Sequence, residues 1–365
     1  MPLFALGFRI FYLLAGAYAA LAVPVWALQY ADVLPAADPL WHAHEMLFGY
    51  AFAVIAGFLL TAVRNWTGLP TPSGAPLAGI AALWIAARFV APFALPLSSA
   101  IDFLFALAVA WGIGRPIVLS GNRNRYFIGI VLALGAASVA FQFAPRTALQ
   151  AGLDIVLFVI AIMAGRVVPS FTNNAVPGAG ARRSEWLERA ALGSVLLLLA
   201  CDGLGLSLAA GLVALVAAAA HGARLALWAP LKTKGRPILW ILHLSYGWIV
   251  VHLLLRGLAG LELVPPVLAT HALTVGAIGG LTLGMMTRTA RGHTGRPLQT
   301  GYAELSAYLL VQAAAVARAL VPLAFPAAYG AAVAVSAGLW GAAFAVFTIA
   351  YFPILARARI DGMPG

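Results

Sequence analysis

The sequence predicts an all-α polytopic membrane protein with about twelve transmembrane helices. Three observations carry this. Hydrophobic residues make up 63% of the 365, charged residues only 9%, and mean hydropathy is +0.96, far from the balance of a soluble domain. The apolar residues form continuous runs, whereas an outer-membrane barrel alternates polar and apolar residues along each strand. Basic residues gather in alternate breaks between the runs, as the positive-inside rule requires.

Breaks rich in Pro, Gly or charge place the spans near 7–30, 41–64, 75–93, 98–120, 125–143, 149–172, 187–206, 207–229, 236–257, 264–289, 301–322 and 328–355. Each is long enough for a ~30 Å hydrocarbon core. Only Leu206–Ser207 separates the seventh from the eighth. With the N-terminus inside, the inner breaks hold most of the charge, from Arg64 through Arg115–Arg125, Arg182–Arg189, Arg224–Arg236 and Arg288–Arg296 to Arg357 and Arg359. The outer side holds Arg146, Arg256 and Arg318, with Arg88 just inside its boundary. That asymmetry calls for an even number of spans and two cytoplasmic termini. Acids lean outward: Asp32, Asp38, Glu45, Asp102, Asp154, Asp202 and Glu262. Asp102 and Asp154 fall inside their spans and need water or a partner.

A net charge of +11 suggests nucleic acid in a soluble protein, but in a membrane chain it orients loops, so no nucleic-acid partner is expected. The lone Cys201 excludes an intramolecular disulfide framework. The N-terminus runs straight into a full-length span carrying Arg9, so no cleavable signal is expected.

The second and tenth spans are versions of one device. Without gaps, His44–Gly68 aligns with His271–Gly295, pairing His44 with His271, Gly49 with Gly276, Gly57 with Gly284 and Arg64 with Arg291. The sixth span places Gly165 where Gly57 and Gly284 fall but has no histidine at its head. The simplest account is a single membrane domain over 1–365 built of three four-helix repeats, 1–120, 121–235 and 236–365.

Candidate chemistry follows the histidines. At about 1.5 Å per residue, His42 and His44 lie at the outer interface, His252 roughly one turn inside it and His271 about two. Imidazoles at one depth on facing helices are how bundles hold haem or metal. The pair His44 and His271 suits two axial ligands of one iron. His42 lies about 200° around the helix from His44 and points elsewhere, where His252 would meet it at a second metal. His243 is about 180° around its helix from His252 and is a further cofactor candidate nearer the inner half. With no acidic triad beside them, these imidazoles suggest haem or copper over a closed zinc site. Glu45 reads as a group that orients an imidazole, Arg256 as a partner for a haem propionate and Tyr246 as a proton donor near His243. His221 and His293 read as hydrogen-bonded filler. The polar collection at the inner face, including Arg9, Arg64, Arg288, Arg291 and His293, reads first as interface anchoring and otherwise as an anion site.

Several blocks carry a family resemblance. GFRIFYLL at 7–14, WHAHEMLFGYAFAVIAGFLLTAVRNWTG at 41–68, GRVVPSFTNN at 165–174, HLSYGW at 243–248 and THALTVGAIGGLTLGMMTRTARGHTGRP at 270–297 resemble the NnrS proteins. The likeness spans nearly the whole chain. It implies a bacterial inner-membrane protein of about twelve spans that contains haem and copper and is associated with denitrification and resistance to nitric oxide. Two departures are small: Ile10 follows GFR where proline is common, and AVRNWTG stands for AVPNWTG. In architecture alone, the chain is similar to the catalytic subunit of haem–copper oxidases, which has twelve spans in three arcs and haem-ligating histidines on the second and tenth. The oxidase pattern of copper histidines on the sixth and seventh spans is absent, because 149–206 contains no histidine.

The function expected is nitric oxide handling, by reduction at a metal centre fed by an unidentified electron donor, with haem b and copper as cofactors. Two other classes stay open. Twelve spans with internal repeats also suit a secondary transporter, although the matched spans share one orientation and no broken-helix pair is evident. A scaffold that handles haem or copper without turnover is the third.

Overall fold

The computed structural model describes residues 1–35 and 40–363; Asp38, expected in an outer loop, lies outside them. Helix dominates, and no strand occurs among the described residues. Twelve rods follow the twelve expected stretches. The first six are α1 (Gly7–Tyr30), α2 (Trp41–Thr67), α3 (Ala75–Val90), α4 (Leu95–Leu119), α5 (Tyr126–Ala140) and α6 (Pro145–Ala175). The others are α7 (Glu185–Gly203), α8 (Ser207–Leu227), α9 (Pro237–Gly260), α10 (Pro266–His293), α11 (Tyr302–Ala324) and α12 (Pro326–Ala356). Among the described residues nine are long and apolar enough to cross a membrane by length and composition. The others differ for visible reasons. Helices α3 and α5 run 16 and 15 residues before turns end them at 91–93 and 141–143, and α7 opens on Glu185, Glu188 and Arg189. The protein is an all-α polytopic membrane protein.

The chain divides into two compact units. The first comprises Met1–Ile155, Arg288–Pro297 and Thr348–Gly365; the second comprises Val156–Thr287 and Leu298–Phe347. Within the first, α1 packs on α2, α2 and α3 on α4, and α4 on α5. Within the second, neighbours in sequence pack in series from α7 to α11. Small residues allow the close approaches: a Cβ on Gly57 would lie 2.8 Å from Phe11 Cβ on α1, and one on Gly284 2.9 Å from Leu242 Cδ2 on α9.

The two histidine-headed helices share a backbone irregularity. In α2 the α-helix runs from Trp41 to His44 and then widens into π-helical turns over Glu45–Ala51. In α10 the α-helix runs from Pro266 to His271 and widens over Ala272–Gly279. In the ungapped alignment both wide segments begin directly after the paired histidine. Such turns leave carbonyls in need of other donors and recur at functional sites. In α2 the Trp84 indole N–H supplies one, donating to Gly49 O at 3.0 Å. Gly68, at φ 71°, ends α2 as its left-handed cap.

Candidate functional site

His44 occupies the centre of a buried polar cluster in the first unit. The end of the α-helical part of α2 puts His44 beside Glu45, and Glu45 Oε1 accepts from His44 Nδ1 at 2.8 Å. Helix α3 brings Arg88, whose Nη1 donates to Glu45 Oε2 at 2.8 Å and whose Nη2 donates to Asp102 Oδ1 from α4. Tyr18 from α1 donates its hydroxyl to Glu45 Oε2. His44 Nε2 takes hydrogen bonds with Ser99 Oγ at 2.9 Å and Ser138 Oγ at 3.0 Å, and Gln142 Nε2 donates to Ser99 Oγ at 2.7 Å. Among the described residues nothing donates to Asp102 Oδ2, which lies 3.8 Å from His44 Nε2. The rings of Phe48 and Phe141 cover the imidazole, with centroids 5.1 and 5.3 Å away. His44, Glu45 and Asp102 are wholly buried. Two carboxylates therefore share one guanidinium, which is how buried charge is tolerated. His42 has different surroundings: it is half-buried and stacks on Trp26 at 4.0 Å between centroids.

The second unit holds the other histidines. His252 on α9 donates from Nδ1 to Ala269 O on α10 at 2.8 Å, and its Nε2 is buried with no hydrogen-bond partner among the described residues. His271, two residues beyond Ala269, donates from Nδ1 to Val267 O at 2.8 Å. His243 has both nitrogens engaged, Nδ1 with Leu239 O at 3.1 Å and Nε2 with Thr172 Oγ1 at 3.2 Å and Trp228 O at 3.3 Å. Arg256 pairs with Asp202. Tyr246 hydrogen-bonds to His221 and Arg224: Arg224 Nη1 donates to its hydroxyl at 2.9 Å, and the hydroxyl reaches His221 Nδ1 at 2.7 Å. His221 Nε2 donates to Ala191 O at 3.2 Å. Glu188 completes the network, accepting from Arg224 Nε at 2.8 Å and Nη2 at 2.5 Å.

The family model for the NnrS protein matches residues 2–359. The chain belongs to the NnrS family. No curated protein matches it. Membership makes it a membrane protein linked to the nitric oxide response, in a family associated in general terms with haem and copper.

Whether the residues of this NnrS-family chain suit such a group turns on their ring nitrogens. A metal-binding imidazole keeps a proton on one nitrogen, held by an acceptor, and offers the lone pair of the other. His252 meets both conditions, since the Ala269 carbonyl fixes Nδ1–H and Nε2 faces no competing donor among the described residues. His271 has the same fixed tautomer through Val267, and His44 has it through Glu45. On His44 the Nε2 lone pair is engaged by two serine hydroxyls, which are rotors able to turn away. Among the described residues no three His, Cys, Asp or Glu side chains converge as a metal cage. A donor set of single, pre-oriented imidazoles suits a haem, which brings four ligands of its own, better than a closed structural site.

Sequence reasoning did not single out Arg88, Tyr18, Ser99 and Ser138, or the Arg224–Glu188–Tyr246 network. The available signal was the opposite charges of Arg88 and Asp102 on consecutive apolar helices; which faces meet after the turn at 91–94 is decided by packing.

Proposed function

We propose that this protein is a haem- and copper-containing protein of the bacterial inner membrane, with both termini cytoplasmic, that detoxifies nitric oxide by reduction at a metal centre. In this reading His44 and His271 hold the iron of a haem b, His252 and His42 serve a second metal, and an unidentified donor supplies electrons. The observation that carries the reading is the repeat: twice a histidine stands directly before a wide helical turn, at matching positions. The family adds the link to nitric oxide.

A metal held by these histidines would supply the redox chemistry for nitric oxide. The protein's own contribution is orientation and exclusion of water. Glu45 and the carbonyls of Ala269 and Val267 hold the Nδ1 protons of His44, His252 and His271, so each ring presents Nε2 as its basic atom. The Phe48 and Phe141 rings dry the surroundings of His44, while an uncharged diatomic gas crosses apolar packing freely.

Optical spectra of the oxidised and reduced protein, purified in detergent after expression with ample haem supply, test the reading. A Soret band with sharp reduced α/β bands is expected, lost in both H44A and H271A. Unchanged spectra in H42A and H252A, together with unchanged nitric oxide binding, would remove the second metal. A colourless, well-folded wild type would sink the haem reading and favour a transporter.

A further inference from the structure

His44 stands between two carboxylates, and one arginine decides which of them reaches it. A neutral imidazole shares one proton between two nitrogens, and only the bare nitrogen can ligate a metal. Glu45 Oε1 lies 2.8 Å from Nδ1, while Asp102 Oδ2 lies 3.8 Å from Nε2, beyond hydrogen-bond reach. Asp102 is wholly buried, and nothing among the described residues donates to that Oδ2. A buried carboxylate oxygen without a donor is costly, and an imidazole N–H is a donor that would satisfy it. The proton would then sit on Nε2 and close that nitrogen to a metal.

Arg88 blocks the move. Its Nη2 donates to the other oxygen of Asp102 and its Nη1 to Glu45 Oε2 at 2.8 Å, so one planar fork fixes both carboxylates. The fork is itself held. Gly49 lets it reach across α2, since a Cβ there would overlap Nη1. The guanidinium lies 5.7 Å from the Trp84 ring, whose N–H donates to Gly49 O at 3.0 Å. Ser98 Oγ on α4 donates to Ala87 O on α3 at 3.0 Å, which sets the two helices in register one turn before Asp102. The two carboxylates are not equally secured. Tyr18 also donates to Glu45 Oε2, whereas among the described residues Arg88 is the one side chain that donates to Asp102. The groups that do touch Nε2 are the Ser99 and Ser138 hydroxyls, at 2.9 and 3.0 Å. Hydroxyls are rotors and yield to a metal; a carboxylate holding Nε2–H does not.

We propose that Arg88 is a positioning residue: by holding Asp102 off Nε2 and Glu45 on Nδ1, it reserves Nε2 of His44 for the iron. The proposal rests on the reading of His44 as a haem ligand, and its effect on the imidazole is measurable without haem.

The full-length protein, prepared without haem and with isotopically labelled histidine, reports the tautomer by nitrogen NMR, with H44Q assigning the signals. Nδ1–H is expected in wild type, Nε2–H in R88M, and Nδ1–H again in R88M/D102N. With haem supplied, R88M is expected to hold it roughly 10–100-fold more weakly and to lose the sharp reduced α/β bands, and R88M/D102N to recover both. R88M/E45Q is the control. It removes the same charges as R88M/D102N, so a merely structural arginine predicts equal rescue by either, and the positioning role predicts rescue by D102N alone. If R88M folds poorly, the two double variants carry the comparison, because they differ only in the carboxylate they keep. Nδ1–H retained in a folded R88M, or the same tautomer and the same rescue in both double variants, overturns the proposal. A colourless wild type whose variants still follow the tautomer pattern sinks the haem reading and leaves the control of His44 by Arg88 standing. A haem-loaded wild type whose variants miss the pattern does the reverse.

Discussion

Arg88 is the residue whose loss the structure makes most costly. Its guanidinium holds Glu45 through Nη1 at 2.8 Å and Asp102 through Nη2, with both carboxylates fully buried. R88M keeps the stem and removes two charge-assisted hydrogen bonds, each worth about 1.5–3 kcal/mol. It also strands two buried carboxylates near one imidazole. Uptake of a proton by one of them returns part of the cost, so the net loss is about 3–5 kcal/mol, as for other broken buried pairs. The lost contact of Arg88 over the Trp84 ring, at 5.7 Å, adds up to ~1 kcal/mol. Unfolding by SDS titration in mixed micelles, followed by far-UV circular dichroism and by Trp84 emission, measures this. The triple variant E45Q/R88M/D102N is expected to recover most of the loss, because it leaves no unpaired charge. R88M within about 1 kcal/mol of wild type would refute the reasoning, since the cluster would then be wet or loosely held. So would a triple variant worse than R88M alone.

Three further outcomes are expected. G276A drives a Cβ into the Trp248 side chain and is expected to cost about 1–3 kcal/mol, whereas G79A on α3 meets nothing within 4 Å and is expected to stabilise by up to ~1 kcal/mol; the same titration compares them. Y246F leaves Arg224 Nη1 and His221 Nδ1 without the hydroxyl that joins them, and a loss of about 1–3 kcal/mol is expected in chemical denaturation; a neutral result would mean that water replaces the hydroxyl. The hydrogen bond from Arg359 holds the Asp361 carboxyl down at about 2, below its ordinary value near 3.8. The sign is that of a depressed acid: the tie is complete above pH ~4 and lost as pH falls towards 2, and pH-dependent hydrogen exchange of the C-terminal segment checks it, with D361N expected to abolish the dependence.

The spans were legible because crossing a bilayer demands only length and apolarity, and these are local properties. Their ends were less so. The second helix continues past Arg64 to Thr67 and stops at Gly68, whose left-handed backbone, not its charge, ends the rod. The π-helical turns after His44 and His271 were invisible, since they reflect a change of carbonyl register and not a residue type. The need of Asp102 for a partner could be read from its place in an apolar span; that Arg88 answers it could not, because the pairing depends on which faces α3 and α4 turn to each other. His221 reads as filler and is indeed held by Tyr246 and Ala191, and His293 packs on Phe8 at 5.5 Å. The Tyr246 hydroxyl, expected near His243, belongs instead to His221 and Arg224, because neighbours across helices outrank neighbours along one.

The sixth helix carries a glycine where the second and tenth carry their head histidines. With Gly165 set on Gly57 and Gly284, the position of His44 and His271 falls on Gly152. There the side chain of Leu47 packs on the bare backbone: a Cβ on Gly152 would lie 2.7 Å from Leu47 Cδ2 and 3.4 Å from Phe48 Cε1. An imidazole at 152 would displace Phe48, which walls His44, so glycine at this position keeps the His44 surroundings intact. The lower glycines also differ in what they admit. Gly57 and Gly284 admit apolar side chains of a neighbouring helix, Phe11 with Tyr12 and Ile241 with Leu242. Gly165 admits the Arg224 guanidinium, which reaches past it to Ala161 O at 2.8 Å and to Glu188. The aligned glycines thus serve close helix packing in α2 and α10 and the approach of a buried ion pair in α6.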